Sequence, residues 1–482
     1  MDEIMIHPVM RHFLALTKVP RPSGHTEKVR EYLLQFAKEN NIEAHEDEAG
    51  NIIYRKPATP GMENCTPTVL QGHFDMVPQK LATSNHNFET DPIETYVDGE
   101  WLKAKGTTLG ADNGVGVAAA MALFTDPDAT HGPLEALFTR DEETGMHGAF
   151  GLKGDELQAK IMLNLDTEDY GELIIGCAGG VNIESSLIYK EVETEDEDIT
   201  IHVSLHGLHG GHSGLEISRG FANANKLMAR FLRDAAEMYE ACLVSWSGGN
   251  MHNAIPREAQ ATLSIMPEMR EELQQLAAEY EQLFCEEYEG IEKGILFEFT
   301  EAPKAALQMP DEIRDNLICS ILAVQHGVVR QIPSIPEVVE TSNNLAIVHA
   351  EAGHCKITNF ARSARDSMLD YIASSIESAF DMAGMRTELT GRYSGWDPDL
   401  NSPILQLMEK LFLQLEGKKP ETKVIHAGLE CGIFAPIYPE MDMISFGPTV
   451  CSPHTPDERL HLSSVIPFYN YLKLALKNIP RS

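Results

Sequence analysis

Five short segments of this chain carry residues that could do chemistry. They are Gly72-His73-Phe74-Asp75-Met76-Val77, Ala111-Asp112-Asn113-Gly114, Asp141-Glu142-Glu143-Thr144-Gly145, Asn164-Leu165-Asp166-Thr167-Glu168 and Ser452-Pro453-His454-Thr455. Together they supply two histidines and several carboxylates. That is the donor set two divalent, zinc-like ions take, with one glutamate left over as a base.

Each segment alone is weak. His73 and Asp75 lie two apart, so one can ligate while the other orients the ring; a lone histidine at a strand end is equally at home as structure. Asp112 opens a helix, where capping the first-turn amides is its ordinary work. A carboxylate has two oxygens, however, and between two cations it is a natural bridge. Asp141, Glu142 and Glu143 place three acids side by side, a density that is hard to hold without cations. One glutamate can bind metal while its neighbour takes a proton from a water whose pKa the metal lowers towards ~7. Asp166 and His454 complete two groups: His73, Asp112 and Asp166 for one ion, and Asp112, Glu143 and His454 for the other.

Elements that could position these groups are legible around them. Thr68 to Gln71 reads as a strand running into His73, Leu134 to Thr139 as one into Asp141, Ile161 to Leu165 as one into Asp166, and Met443 to Phe446 as one towards His454. Residues 114 to 124 read as a buried helix that begins right after Asp112. Pro8 to Leu16 and Val29 to Ala37 carry helical stripes. Strands alternating with helices indicate an α/β sheet, whose functional groups gather beyond the carboxyl ends of the strands. Gly176 to Gly180 reads as a flexible junction. After it the pattern changes to strand, long helix, two strands and helix, and a strand–strand–helix run recurs at 338 to 384. The expected organisation is 1–180 as the first part of a metal-binding domain, 181–385 as an inserted α+β domain, and 386–482 as the second part.

Composition excludes several classes. The chain has 482 residues, too many for one core, and 38 Lys plus Arg against 73 Asp plus Glu give a net charge of −35. A general nucleic-acid or anionic-membrane binder is disfavoured, because those partners are themselves negative. The eight cysteines form no C-x-x-C pair and read as buried small hydrophobes in a reducing compartment. No basic-then-apolar leader and no 18-residue apolar run occurs, so a cytoplasmic location is expected. G-x-S-x-G, P-loop and H-E-x-x-H motifs are missing. The cluster His202, His206, His209 and His212 lacks carboxylates in step and reads as a strand-end turn with one functional histidine.

Taken in order, the segments resemble the co-catalytic di-zinc peptidase superfamily of aminoacylases, carboxypeptidases and dipeptidases, nearest to its bacterial aminoacyl-histidine dipeptidase (Xaa-His, carnosinase-like) branch. The similarity covers nearly the whole chain. It extends to Gly207 to Gly214, Met251 to Arg257 and Phe360 to Asp366. The resemblance implies a mixed-sheet α/β exopeptidase catalytic domain with an inserted α+β lid. It implies His73, Asp112, Glu143, Asp166 and His454 as metal ligands, with Asp112 bridging. Glu142 matches the general base and Asp75 the residue orienting His73, and a cis peptide is expected at Asp112–Asn113. His212 matches an oxyanion-stabilising histidine. Asn253 and Arg362 match groups that bind the substrate's C-terminal carboxylate, for which an arginine fork is suited; Gly428 matches a pocket-lining position.

The resemblance leads to the expectation of a cytoplasmic dipeptidase acting on Xaa-His and other dipeptides. It would carry two Zn2+, for which Co2+ or Mn2+ can substitute, and form a homodimer as is common in the family. An N-acyl amino acid deacylase or a tripeptidase is the alternative on the same fold. A non-catalytic metal-binding protein is a third reading, against which the intact Glu142 argues, since binding alone needs no base.

Overall fold

Thr68-Val69-Leu70-Gln71 leads into a strand that the structure buries on both faces, as strands inside a parallel sheet are. In the computed structural model, which describes residues 2–481, this strand, Thr68–His73, lies within an eight-stranded sheet. The order across the sheet is Glu43–Glu46, Ile52–Lys56, Leu134–Thr139, Thr68–His73, Ile161–Asn164, Asp442–Ser445, Glu172–Cys177 and Glu421–Ile425. Four neighbours in the middle run parallel, while Glu43–Glu46, Ile52–Lys56 and Glu172–Cys177 pair antiparallel. The sheet is mixed, as expected. Its four parallel strands end at His73, Thr139, Asn164 and Ser445, so the segments that continue from them leave from one rim.

The helix Ala111–Thr125 packs beneath that rim against the helix Pro8–Leu16. It is apolar all round and built of small residues, Ala118-Ala119-Ala120 among them, so it is buried on every side. Glycine is required at its start. A Cβ on Gly116 would lie 2.7 Å from the Leu165 carbonyl oxygen, and one on Gly72 would occupy the place of the Asn113 carboxamide. That carboxamide donates to the Leu165 carbonyl at 2.7 Å, tying the start of the helix to the strand that leads into Asp166.

Two compact units divide the chain. The first comprises Met1–Gly176, Trp396–Val424 and Leu429–Ser482, and the second Cys177–Gly395 with Ile425–Gly428. The first change expected at 180 thus comes at Cys177, the second expected at 385 comes only at Trp396, and Ile425–Gly428 belongs to the second unit rather than to the first. The strands Gly179–Ile188 and Arg386–Tyr393 account for the first two shifts, because they pair with each other in the second unit's sheet, Ser186 opposite Arg386. The Gly176–Gly180 stretch is not the flexible junction expected from its composition. Gly179 and Gly180 open a ten-residue strand, and a Cβ on Gly179 would lie 2.5 Å from the backbone at Tyr393 and Gly395. These glycines permit close approach of chains.

The second unit is α+β. Its nine-stranded sheet is antiparallel in every recorded pairing. The helices Ala224–Tyr239, Arg270–Glu287, Asp311–Ala323 and Asp366–Met382 share one apolar core with it. Of the cysteines, Cys65, Cys177, Cys355 and Cys431 are buried, whereas Cys285 and Cys319 are exposed, so the buried-hydrophobe reading holds for part of the set. Among the described residues no helix is long and apolar enough to cross a membrane.

Candidate active site

The first unit brings its predicted residues together. His73 is 1 % exposed at the end of its strand. Its Nε2 lies 3.0 Å from Asp112 Oδ1 and 3.5 Å from Asp166 Oδ1. His454 Nε2 lies 3.2 Å from Asp112 Oδ2 and 2.9 Å from Glu143 Oε2. Asp112 therefore offers one oxygen to each histidine, and each histidine has a further carboxylate beside it. The result is two clusters sharing Asp112, one with His73 and Asp166 and the other with Glu143 and His454. His73, Asp112 and Glu143 also offer ligand atoms that all lie within 4.8 Å of one another.

Asp75 is fully buried and works in two directions. Its Oδ1 is 3.4 Å from His73 Nδ1, and it accepts the Glu142 amide at 3.1 Å. Its Oδ2 accepts the Glu143 amide at 3.3 Å and the Ser23 hydroxyl at 2.7 Å. One carboxylate thus sets the imidazole and the turn bearing both glutamates. Asp141, third of the acidic trio, turns away from the cluster. It adopts φ +52°, accepts the Gly24 amide at 2.7 Å and pairs with Arg140 at 3.1 Å. Its work is to shape the turn. The Asp112–Asn113 peptide is cis.

The electrostatics fit cations. Burial pushes the Glu142 carboxyl well above its ordinary value; His73 opposes the shift, and Glu143, Asp166 and Glu430 add to it. Burial likewise raises Asp166 to about 6 against the pull of His73, and raises Glu143 against that of His454. Asp112 goes the other way: burial is outweighed by hydrogen bonds from His454 and His73, which hold its carboxyl below the usual range. Asp166 Oδ1 and Glu143 Oε1 are buried without a hydrogen-bond partner. Crowded, partly unpaired carboxylates interleaved with imidazoles are the environment that divalent cations relieve. The donor set of nitrogen and oxygen suits zinc, with neighbouring transition metals as substitutes.

Two supporting groups lie outside the motifs read from the sequence. Glu430 is wholly buried at the start of the helix Glu430–Ile437, and it accepts Gln71 Nε2 at 2.5 Å and Thr139 Oγ1 at 2.7 Å. Burial raises its carboxyl to about 7. A charged residue inside the apolar run Leu429 to Phe434 is the signal that could have found it. Arg21 is also buried; Nη1 donates to the carbonyls of Phe74 and Asp75 at 2.9 and 3.0 Å, and Nη2 to that of Gly110. It thereby holds the backbone behind His73 and before Asp112.

The second unit gathers His212, Asn253, Arg362 and Gly428. His212 ends a two-residue strand that pairs with Ala254–Ile255, and the Ser213 amide donates to the Asn253 carbonyl at 2.9 Å. His212 and Asn253 line a cavity of about 630 Å³ together with Arg257 and Asn250. The amides of Gly214 and Leu215 donate to His212 Nδ1 at 3.2 and 3.0 Å, so the ring proton belongs on Nε2. Burial, aided by Arg362, lowers the pKa of this imidazole and keeps it neutral. Arg362 lies over the Phe360 ring at 4.5 Å and donates from Nη1 to the Tyr393 hydroxyl at 3.2 Å, while its buried Nε has no hydrogen-bond partner. Around Gly214 the two groups meet: a Cβ there would lie 3.1 Å from His212 Cε1 and 3.2 Å from Arg362 Nε. The Gly428 segment joins them through His426, whose Nε2 is 2.7 Å from the Ser342 hydroxyl. His202 and His206 stand apart on the strand Ile199–His206, the latter paired with Glu298 at 3.4 Å.

The model of Peptidase family M20/M25/M40 matches residues 69–478. The cytosol non-specific dipeptidase of Escherichia coli K12 is 44 % identical over 482 residues, covering 100 % of this chain and 99 % of that one. The crystal structure of aminoacylhistidine dipeptidase from Vibrio alginolyticus superposes with a TM-score of 0.92 at 39 % identity, covering 100 % of both chains. Aminopeptidase PepT from Bacillus cereus shares the fold, with a TM-score of 0.57 at 13 % identity over 98 % of each chain.

Proposed function

The chain belongs to Peptidase family M20/M25/M40, and on that premise we propose that it is a cytosolic metallo-dipeptidase that hydrolyses Xaa-His and other dipeptides. The observation that carries the reading is Asp112, with one carboxylate oxygen facing His73 and the other His454. His73 and Asp166 would hold one ion, Glu143 and His454 the other, and Asp112 both. Two such cations, zinc by preference, would polarise the scissile carbonyl and lower the pKa of water towards ~7.

The remaining steps belong to the chain's own side chains. Glu142, half-buried and held by its amide on Asp75, takes the proton of the attacking water and returns it to the leaving amine. Asp75 keeps the His73 ring in one orientation. His212 is neutral with its proton on Nε2, which makes it a donor for the oxyanion of the tetrahedral intermediate. Arg362 and Asn253 hold the substrate's terminal carboxylate, with Gly428 at the pocket wall. A clamp on that carboxylate is consistent with an exopeptidase.

The test is turnover of β-alanyl-histidine by zinc-loaded protein, alongside an N-acyl amino acid, a tripeptide and Glu142→Ala. Dipeptide hydrolysis that disappears in the variant is expected. Full activity in Glu142→Ala would sink the mechanism, and turnover of the acyl amino acid or the tripeptide alone would replace the substrate. The proposal includes a homodimer, which mass measurement in solution checks.

A further inference from the structure

The backbone that carries Asp112 is held from far along the chain. Asp112 stands at the start of a buried helix, where an aspartate ordinarily caps the free amides of the first turn. Here it does not. The four amides of Leu109, Gly110, Ala111 and Asp112 all donate to the carboxylate of Glu458, at 2.7, 2.9, 2.7 and 3.2 Å, two to each oxygen. Glu458 is 2 % exposed and lies more than 300 residues further along the chain. Gly110 makes the arrangement possible, since it adopts φ +71° and a Cβ there would lie 2.6 Å from Arg21 Nη2 and 2.8 Å from Met76 Sδ. Backbone amides converging on an anion at a helix start form a strong site for negative charge. In this protein the anion is built in.

The origin of Glu458 matters as much as its contacts. The strands Val450–Cys451 and Arg459–His461 pair antiparallel, Cys451 opposite Arg459, and the loop between them carries both His454 and Glu458. The Glu458 amide closes a turn onto the Thr455 carbonyl at 3.0 Å. One loop therefore grips the 109–112 segment twice, with Glu458 on its backbone and His454 against Asp112 Oδ2. Arg21 holds the other side of the segment through the Gly110 carbonyl.

We propose that Glu458 is a positioning residue of the metal centre. By holding the 109–112 amides it fixes the backbone that carries Asp112, and through the shared loop it fixes that backbone relative to His454. It touches no substrate and acts through Asp112. The inference rests on the reading of Asp112 and His454 as ligands. Without Glu458 the 109–112 backbone loses its anchor, and the two oxygens of Asp112 no longer face His73 and His454 together.

The experiment compares wild type, Glu458→Gln, Glu458→Asp and Asp112→Asn in zinc titrations against a chromophoric chelator. Visible spectra of the cobalt-loaded proteins and the melting temperature of each metal-free protein accompany them. Glutamine keeps the size but points an amide donor at donors, and aspartate keeps the charge but falls short. Expected is a loss of about 10–100-fold in affinity for the more weakly held ion in Glu458→Gln, the scale of outer-shell losses at metal sites. A changed cobalt spectrum should accompany it, with Glu458→Asp between the two and activity recovering as zinc is raised. A fold-supporting role alone would lower the melting temperature and leave zinc affinity and the cobalt spectrum at wild-type values; that result overturns the proposal. Should Glu458→Gln not fold, Glu458→Asp decides on the same readouts. A wild type that binds fewer than two ions, or an Asp112→Asn protein that binds both as wild type does, overturns the ligand reading instead, and the proposal with it.

Discussion

The two units hold their candidate residues in different ways. In the first, side chain meets side chain: His73 with Asp75, Asp112 and Asp166, and His454 with Asp112 and Glu143. In the second, the candidates are held by backbone and by aromatic faces. His212 is fixed by two amides and Arg362 by the Phe360 ring and the Tyr393 hydroxyl. Each of those two keeps a donor in reserve, Nε2–H on the histidine and Nε–H on the arginine. A crowded carboxylate cluster is arranged to hold cations and move a proton, whereas groups with spare donors are arranged to receive an anion. Damage to the first should fall on kcat and on metal content, and damage to the carboxylate anchors Arg362 and Asn253 of the second on KM.

The largest effect should come from Glu142. Glu142→Ala is expected to lower kcat by about 10²–10⁴-fold, the usual worth of a positioned general base, while two zinc ions remain bound by elemental analysis. Loss of metal together with activity would show that the first unit does not separate base from ligands. Next is Arg362→Ala. Removing a charged hydrogen-bonding anchor should cost about 10–100-fold in kcat/KM for a dipeptide with a free carboxylate. The same variant should act almost equally on the dipeptide and on its C-terminal amide, which wild type should discriminate. An unchanged preference for the free acid would remove Arg362 from the carboxylate site. Asp75→Asn tests the first unit again, through the orientation of His73. The expectation is about a tenfold or greater loss in zinc affinity, with activity restored in part by excess zinc.

Legibility in the sequence divides along the same line. His73, Asp141 and Asp166 each come just after a run that a strand-forming apolar pattern marks, and parallel neighbours then necessarily deliver them to one rim, whereas His454 lies further on, in the loop that follows such a run. Glu458 and Arg21 escape such a reading because their importance lies in backbone groups far away in sequence, at Leu109 to Asp112 and at Phe74 to Asp75, which no local pattern announces. Asp141 misleads for the converse reason. Its neighbours in sequence are chemical, but a left-handed turn sends its carboxylate to Gly24 and Arg140. The glycines at 176 to 180 suggest flexibility, and only the pairing of Gly179–Ile188 with Arg386–Tyr393 shows that they serve close packing. In the second unit, Arg362 is recognisable by its segment, yet its support from Tyr393 depends on a strand about thirty residues on.

That support gives the smallest prediction. Arg362 Nη1 donates to the Tyr393 hydroxyl at 3.2 Å, and the guanidinium is already located by the Phe360 ring at 4.5 Å. Tyr393→Phe removes the hydroxyl and leaves the ring, so the arginine keeps its stacking partner and loses one hydrogen bond of ordinary net worth, about 0.5–1.5 kcal/mol. If Arg362 serves substrate binding alone, the change should appear as about a two- to tenfold rise in KM for a free dipeptide. It should leave kcat, zinc content and the KM of the C-terminal amide where they were. A fall in kcat at unchanged KM would mean that Arg362 is tuned for the transition state, and its role as a holder of substrate alone would have to be given up.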